Sequence, residues 1–381
     1  MANTLTGLIQ PIYATMQVLS RELVGFIPSV DKDAVAEKVA LNQPVVWGSS
    51  DNDSEDPYDI VPGATPPALK DTVYNQDTMT VTKARAKRFY WTGDDQRRVE
   101  SGLLEDLHNN KILNNMRKLT NEIETDLAAL YVHASRAYGT GGTTPFATAG
   151  DWTDLALLLK ILKDNGAPLS DLRLVVDTTV GANLLGKQSR VDLIGSQSPL
   201  RQGVIENRMD FQIRESAGVK VHTKGTGSGY LVNDATDVAV GDTDIVLDTG
   251  TGTVLPGDIV DFAAAGTYNY VVGTGVAAPG TITLNNPGVR QAIADDAAMT
   301  IANGYTANMA FAKSAIRLLS RLPLTPDGGD MADDEMVITD PVSGIPFRVA
   351  LYRGYHANQI EVSTAWGVKV AQPEHIALLL G

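Results

Sequence analysis

Cysteine is absent from all 381 residues, which removes disulfides, thiolate metal sites and cysteine nucleophiles from consideration. Histidine is nearly as scarce. The five present are His108, His133, His222, His356 and His375. No two of them stand at the i,i+4 spacing of a helical metal site, and no HExxH occurs, so each reads as a surface or packed residue. There is no GxSxG elbow and no GxxxxGK[ST] loop. Gly273-Thr274-Gly275-Val276-Ala277-Ala278 fits the loose dinucleotide pattern. Pro279-Gly280 and a strand-like run follow it, however, where a phosphate loop requires a helix N-terminus. Asp51-Asn52-Asp53-Ser54-Glu55 opens like a calcium loop, but Asp56 stands where the turn needs Gly and Pro62 where the bidentate Glu belongs. The remaining carboxylates are scattered. The expectation is a non-enzymatic chain with no catalytic, cofactor-binding or metal-binding residues.

Long apolar runs are missing too. No window of 18 uninterrupted apolar residues exists, so no membrane span is expected. The first thirty residues lack a basic start, and Pro11 and Arg21 interrupt them, a pattern unlike a secretory signal. Positive charge is in short supply: 31 Lys and Arg face 45 Asp and Glu, for a net charge of −14. That balance argues against a nucleic-acid binder built on many phosphate contacts, and it suits a protein that stays dispersed at high concentration. With 43% apolar and 20% charged residues, the chain is an ordinary globular protein of two or three domains.

The longest organised stretch is Ser101–Ala137, with no proline and no glycine after Gly102. Ile112, Met116, Leu119, Ile123, Leu127, Leu130 and Ala134 step by four and three, which lays one apolar stripe along a helix. Asn114, Arg117, Lys118, Asn121, Glu122 and Glu124 fall on the opposite face. A helix over the whole stretch would be about 50 Å long, more than a small domain's diameter of about 30 Å, and would act as a spine.

On the N-terminal side, Leu5, Leu8, Ile9, Ile12, Met16, Leu19 and Leu23 give an amphipathic arm that packs on its own domain or on a neighbouring subunit. Residues 43–92 read as a β-hairpin: Val45-Val46-Trp47 in one strand and Thr78–Trp91 in the other. Its tip is acidic (Asp51, Asp53, Glu55, Asp56, Asp59). Lys83, Arg85 and Lys87 share one face of the second strand, because strand side chains alternate. With so little apolar area the hairpin needs an outside surface. Thr92 and Asp95 form a capping-box pattern ahead of the spine.

After the spine, Gly139–Gly150 reads as a flexible connector. Asp151 and Asp154 open a helix closed by Gly166, followed by a strand at Leu172–Val176 and a short helix at Thr179–Leu185. Composition then changes. Residues 226–303 hold nine Asp, no Lys and only Arg290, a formal charge of −8 and thus more than half of the chain's excess. Short strands recur at Thr236–Val240, Ile245–Asp248, Asp258–Phe262, Tyr268–Val272, Thr281–Leu284 and Ala298–Ile301, the spacing of a small β-barrel or sandwich. Val219–His222 leads in, Ala315–Leu319 leads out, and Phe347–Tyr352 and Gly367–Val370 follow. A β-domain inserted into a loop of a larger domain accounts for this order.

The order of arm, hairpin, spine, α/β region, β-insert and closing strand resembles the major capsid proteins of tailed bacteriophages, the Hong Kong 97-type shell fold. Local words resemble the Salmonella-podovirus branch with its inserted β-barrel. Ala365-Trp366-Gly367-Val368-Lys369-Val370-Ala371-Gln372-Pro373-Glu374 is similar to that branch's closing strand. Gly218-Val219-Lys220-Val221-His222-Thr223-Lys224 is similar to the strand entering the insertion, and Ala315-Ile316-Arg317-Leu318-Leu319 to the strand leaving it.

The resemblance implies an α+β fold divided into an N-terminal arm (1–42), an extended β-hairpin loop (43–92), a spine helix and peripheral domain (93–150), an axial domain (151–225), the inserted all-β barrel-like domain (226–303) and a second axial/peripheral part (304–381). It implies hexamers and pentamers closing into an icosahedral shell around double-stranded DNA, without sequence-specific contacts to it. The expected partners are a separate scaffolding protein, a portal protein and, left open, a decoration protein. The expected locations are the virion capsid and, during assembly, the host cytoplasm, with expansion from a procapsid. Asp51, Asp53, Glu55 and Asp56 of one copy would meet Lys83, Arg85 and Lys87 of the next in a heterologous ring contact. Three other readings stand beside it: an encapsulin-like compartment shell, an adhesin-like surface protein suggested by the Asp/Gly/Thr-rich β-segment, and an α/β enzyme using the glycine loops.

Overall fold

The computed structural model describes residues 24–50, 62, 75–98, 104–148, 151–187, 207–263 and 265–381. The expected amphipathic arm up to Leu23 and the acidic residues Asp51, Asp53, Glu55, Asp56 and Asp59 lie outside the described residues. In chain order, β1 (Asp31–Val39), β2 (Pro44–Ser50), β3 (Asn75–Thr80) and β4 (Lys83–Thr92) precede helices α1 (Gly93–Arg98) and α2 (Leu104–Ala128). Then come β5 (Arg136–Tyr138), α3 (Thr153–Asp164), β6 (Leu172–Val176), α4 (Thr178–Lys187), β7 (Phe211–Glu215) and β8 (Val221–His222). The acid-rich region contains β9 (Leu231–Val232), β10 (Asp244–Asp248), β11 (Ile259–Phe262), β12 (Asn269–Thr274), β13 (Gly280–Leu284) and β14 (Met299–Ile301). The chain closes with β15 (Tyr305–Ala312), β16 (Ile316–Pro323), β17 (Asp334–Thr339), β18 (Pro346–Gly354), β19 (Ala357–Val370) and β20 (Ile376–Leu380). The architecture is mixed α+β.

The spine helix forms, but it is 25 residues long, about 37 Å at 1.5 Å per residue. Beyond Ala128 the backbone tightens into a 3₁₀ turn, and Ala134 is already extended at ψ 150°. The expectation of helix to Ala137 is corrected because Arg136–Tyr138 finds sheet partners on both sides, parallel to β20 and antiparallel to β12. Ala134 stays fully buried, so a packing position that continues the helical spacing disguises a change of backbone. The stripe itself behaves as its spacing requires: Ile112, Met116, Leu119, Ile123 and Leu127 are all buried. They pack with Val349, Leu351, Ile360, Val362 and Trp366 in one core.

That core lies between the spine and a six-stranded sheet ordered β1-β16-β19-β18-β17, with β4 on the other edge of β19. A larger sheet runs β7-β6-β15-β20-β5 and continues through β12, β13 and β10 to β9. Helices α3 and α4 are buried through Leu155, Leu158, Leu162, Val180 and Leu184 with strands β6, β15 and β20. Residues 304–381 are therefore divided: β15 and β20 join β6, whereas β16–β19 carry the spine.

The acid-rich region has its own cluster, from Tyr230, Val232 and Ile245 through Tyr270 and Ile282 to Met299. It is also spliced to the rest through the β5–β12 pairing of Tyr270 with Arg136. Of its expected strands, Thr236–Val240 does not form. Val238 makes only an isolated bridge to Ile293. The Gly139–Gly150 connector, expected to be flexible, is anchored over its described part: Phe146 is buried at 2% exposure. Its N–H donates to Asp154 Oδ2 at 2.8 Å, and the Lys187 ammonium donates to the carbonyl of Thr148.

The expected single strand Thr78–Trp91 is two strands. Among the described residues β3 pairs only with β2, while β4 pairs with β19 from Lys83↔Trp366 to Thr92↔Ala357. At the switch, the Val81 carbonyl accepts from Asn42 N–H and the Trp366 carbonyl accepts from Thr82 N–H. Val81 is fully buried there. A buried residue bonded on both sides breaks the strand where the alternating pattern showed no interruption.

Candidate assembly surface

The β-hairpin arm is thus β2–β3, a two-stranded sheet of its own. Lys83, Arg85 and Lys87 sit at the edge of the body, facing the spine. This corrects their placement on the hairpin, although period two does put all three on one face. Lys83 Nζ lies 2.7 Å from Asp126 Oδ1 and 3.9 Å from Glu122 Oε1, and Arg85 Nε lies 3.3 Å from the same Glu122 oxygen. Two of the three cations therefore have carboxylate partners within the chain. Lys87 differs. The Lys118 ammonium beside it holds its pKa below the ordinary lysine range, and among the described residues it makes none of the ion pairs found for Lys83 and Arg85. At partial exposure each such pair contributes about 0–1 kcal/mol.

The root of the hairpin is built from three features. Val45 and Trp47 pack against a small cluster of Val39, Met79, Val81, Leu319 and Ala365. Asp77 takes Lys369 Nζ at 2.6 Å and the Arg317 guanidinium, and these two cations hold its carboxyl below the usual range. Gly367 provides clearance, since a Cβ there would lie 2.0 Å from the Thr80 carbonyl oxygen. Above this root Val46 is 57% exposed. The capping box forms, with Thr92 Oγ1 accepting from Asp95 N–H at 3.2 Å and donating to Asp95 Oδ2 at 2.7 Å.

Two polar centres were not anticipated. Glu124, expected on the solvent face of the spine, is buried at 2% exposure. Its carboxylate accepts from the N–H groups of Gly25 (2.6 Å), Phe26 (2.7 Å) and Ile27 (3.0 Å) and from Ser216 Oγ (2.7 Å). Burial pushes its pKa up, while the four donors pull against that shift. The second centre is His222, whose Nδ1 is 2.8 Å from the Tyr131 hydroxyl and whose Nε2 is 2.8 Å from Asp258 Oδ1. Asp258 also accepts from Gly225 and Leu255 N–H. Both ring nitrogens are engaged, which makes His222 a structural tie between the turn after the spine, β8 and the acid-rich region. Helix periodicity alone signals neither centre, because both depend on residues about a hundred or fewer positions away in sequence.

Among the described residues, no group of three or more His, Cys, Asp or Glu is placed to hold a metal ion. No described helix is long and apolar enough to cross a membrane. Gly273–Ala278 lies at the β12–β13 turn, and the strand β13 follows it. A Cβ at Gly275 would lie 1.9 Å from the Val254 carbonyl. The glycine thus serves a close backbone approach and offers no cradle for phosphate.

Comparison with known proteins gives structural likeness only. The chain is similar to the capsid structure of the cyanophage P-SCSP1u, with 11% identity over 95% of this chain and 89% of that one and a TM-score of 0.49. It is similar to the bacteriophage PhiM1 mature capsid, with 11% identity, 93% and 86% coverage and a TM-score of 0.45. The virus-like particle from Pyrococcus furiosus is matched over 98% of both chains, at 9% identity and a TM-score of 0.44. No protein-family model and no curated protein sequence matches this chain. Identities this low assign neither partner nor activity.

Proposed function

We propose that this chain is the major capsid protein of a tailed phage, a Hong Kong 97-type shell subunit that assembles as hexamers and pentamers into an icosahedral particle around double-stranded DNA. The observation that carries the reading is the β2–β3 hairpin. It is a two-stranded sheet rooted on the body by one small cluster and one ionic clamp, with Val46 exposed above the root. Such a hairpin is marginal alone and gains stability by lying on another copy. The sequence resemblance supplies the remaining parts: scaffolding protein and portal as partners, maturation from a procapsid, and residence in the virion after assembly in the host cytoplasm, with a decoration protein left open.

In this reading the arm is 1–42, the projecting loop is 44–80, the six-stranded sheet and spine form the peripheral body, 151–225 with β15 and β20 forms the axial body, and 226–303 is the inserted β-domain. Contacts between copies use Asp51, Asp53, Glu55 and Asp56 against a neighbour's basic edge of Lys83, Arg85 and Lys87, of which Lys83 and Arg85 are already paired within the chain and Lys87, among the described residues, is not. Replacing residues 44–80 by a short linker tests the proposal. Sedimentation velocity should show a folded, unassembled chain where the intact protein forms large particles. Particles of normal size from the deletion would contradict it.

A further inference from the structure

Arg317 and Lys369 stand directly opposite each other in the antiparallel β16–β19 ladder. Like charges in register on neighbouring strands repel, so the pair needs an anion. Neither strand supplies it. The anion is Asp77 of β3, reached by Lys369 Nζ at 2.6 Å on one carboxylate oxygen and by the Arg317 guanidinium on the other. Lys369 also donates to the Thr78 carbonyl at 3.1 Å. The Arg317 guanidinium carbon lies 5.5 Å from the centre of the Trp47 ring on β2, and its Nε has no hydrogen-bond partner among the described residues. The body thus presents a two-cation cradle, and the hairpin fills it with its own carboxylate.

We propose that Arg317 and Lys369 form an oxyanion-binding site occupied in the resting chain by Asp77, and that a solution oxyanion displaces Asp77 and releases the hairpin from the body. A planar guanidinium beside an ammonium suits a carboxylate, sulfate or phosphate group, which can accept from both at once. The site is within reach of solvent, since the Lys369 side chain is 42% exposed and that of Asp77 29%. Releasing Asp77 breaks the ionic part of the root. The small cluster around Met79 and Val81 and the Thr82 N–H bond to the Trp366 carbonyl are then left to hold the root, and among the described residues β3 pairs only with β2. A tethered carboxylate acts at an effective concentration of the order of millimolar or more, so the competitor is expected to work at about tens of millimolar. The inference concerns the unassembled chain and stands whether or not the chain builds shells. Within the shell reading it gives an anionic partner a means of freeing the hairpin for a neighbour.

The test is hydrogen–deuterium exchange on the full-length, unassembled chain, with sodium sulfate replacing sodium chloride at matched ionic strength. Sulfate is excluded from protein surfaces and generally slows exchange, so the predicted signature has the opposite sign and is local. Peptides covering 44–50 and 75–80 should exchange about tenfold faster in sulfate, while those of α2 and β19 do not. Asp77→Asn should show fast hairpin exchange already in chloride, with no further acceleration by sulfate. In R317Q/K369Q, and in the milder K369Q should the double variant not fold, the sulfate response should be lost or reduced. Equal hairpin exchange of the wild type in the two salts would overturn the proposal. So would a full sulfate response in the variants lacking the cradle.

Discussion

Trp366 donates its indole N–H to Asp126 Oδ2 at 2.9 Å, and the other oxygen of the same carboxylate takes Lys83 Nζ at 2.7 Å. One residue of the spine therefore fastens two neighbouring strands, β19 and β4, to a single helix. Trp366 is fully buried, so removing the carboxylate takes away the acceptor of a buried indole N–H. Asp126→Ala is expected to cost about 1–3 kcal/mol, the penalty of an unsatisfied buried donor. Asp126→Asn keeps an acceptor and should cost less. Urea denaturation followed by tryptophan fluorescence measures both, and equal stability of Asp126→Ala and wild type would show that the indole bond is not needed.

Glu124 ties the segment Gly25–Ile27 and Ser216 to the middle of the spine. Alanine there would strand four donors at once, so Glu124→Ala should cost at least about 3 kcal/mol, whereas Glu124→Gln retains one acceptor oxygen and is expected to fall between. The pH dependence follows from the raised pKa. A group whose folded pKa lies above its unfolded value contributes stability fully below the unfolded pKa and loses it as pH rises through the folded one. Glu124 should therefore make the wild type lose stability as pH rises from its ordinary value of 4.5 through the raised one. Glu124→Gln should lack that slope. Denaturation midpoints of both proteins across this range decide the matter, and parallel curves would contradict it.

Gly367 lies where the hairpin root crosses β19, and the space for a Cβ is already held by the Thr80 carbonyl. Gly367→Ala must displace backbone, because no flexible side chain is there to yield. Overpacking of this kind costs about 1–3 kcal/mol. The loss should be concentrated in the hairpin, visible as faster exchange at 75–80 with little change in α2. Uniform exchange across the chain would show that the clearance is not specific to the root.

Charge reversal along β4 separates folding from association. Lys83→Glu with Arg85→Glu places new carboxylates against Asp126 and Glu122 and should lower stability by up to about 1 kcal/mol per lost pair. Lys87→Glu instead relieves the repulsion with Lys118 and should leave folding intact or slightly strengthened. If the basic edge receives a neighbour's acidic segment, Lys87→Glu should nonetheless impair assembly. Thermal melting and particle sizing on the same samples give both answers, and normal particles from Lys87→Glu would remove that residue from the contact.

Much of this was visible in the residues. The spine's stripe, the Thr92–Asp95 cap, the helix closed by Gly166 and the strand Leu172–Val176 are local patterns, and they appear where periodicity and capping rules place them. What failed to show at the two largest departures was a change of partner. The chain leaves helix near Ala134 and switches sheets at Val81 with no break in its apolar spacing, because what decides each is a distant strand, β20 or β19. Glu124 illustrates the same limit within one helix. A polar residue on a polar arc reads as solvated, and only the arrival of Gly25–Ile27 and Ser216 from afar makes it a buried acceptor.

The shell reading is tested most directly by negative-stain electron microscopy of the purified full-length chain, alone and with a candidate scaffolding protein, across a range of salt. Closed shells are expected, or polyheads and aberrant spirals where size control is lost. A monodisperse small oligomer under every condition would contradict that reading.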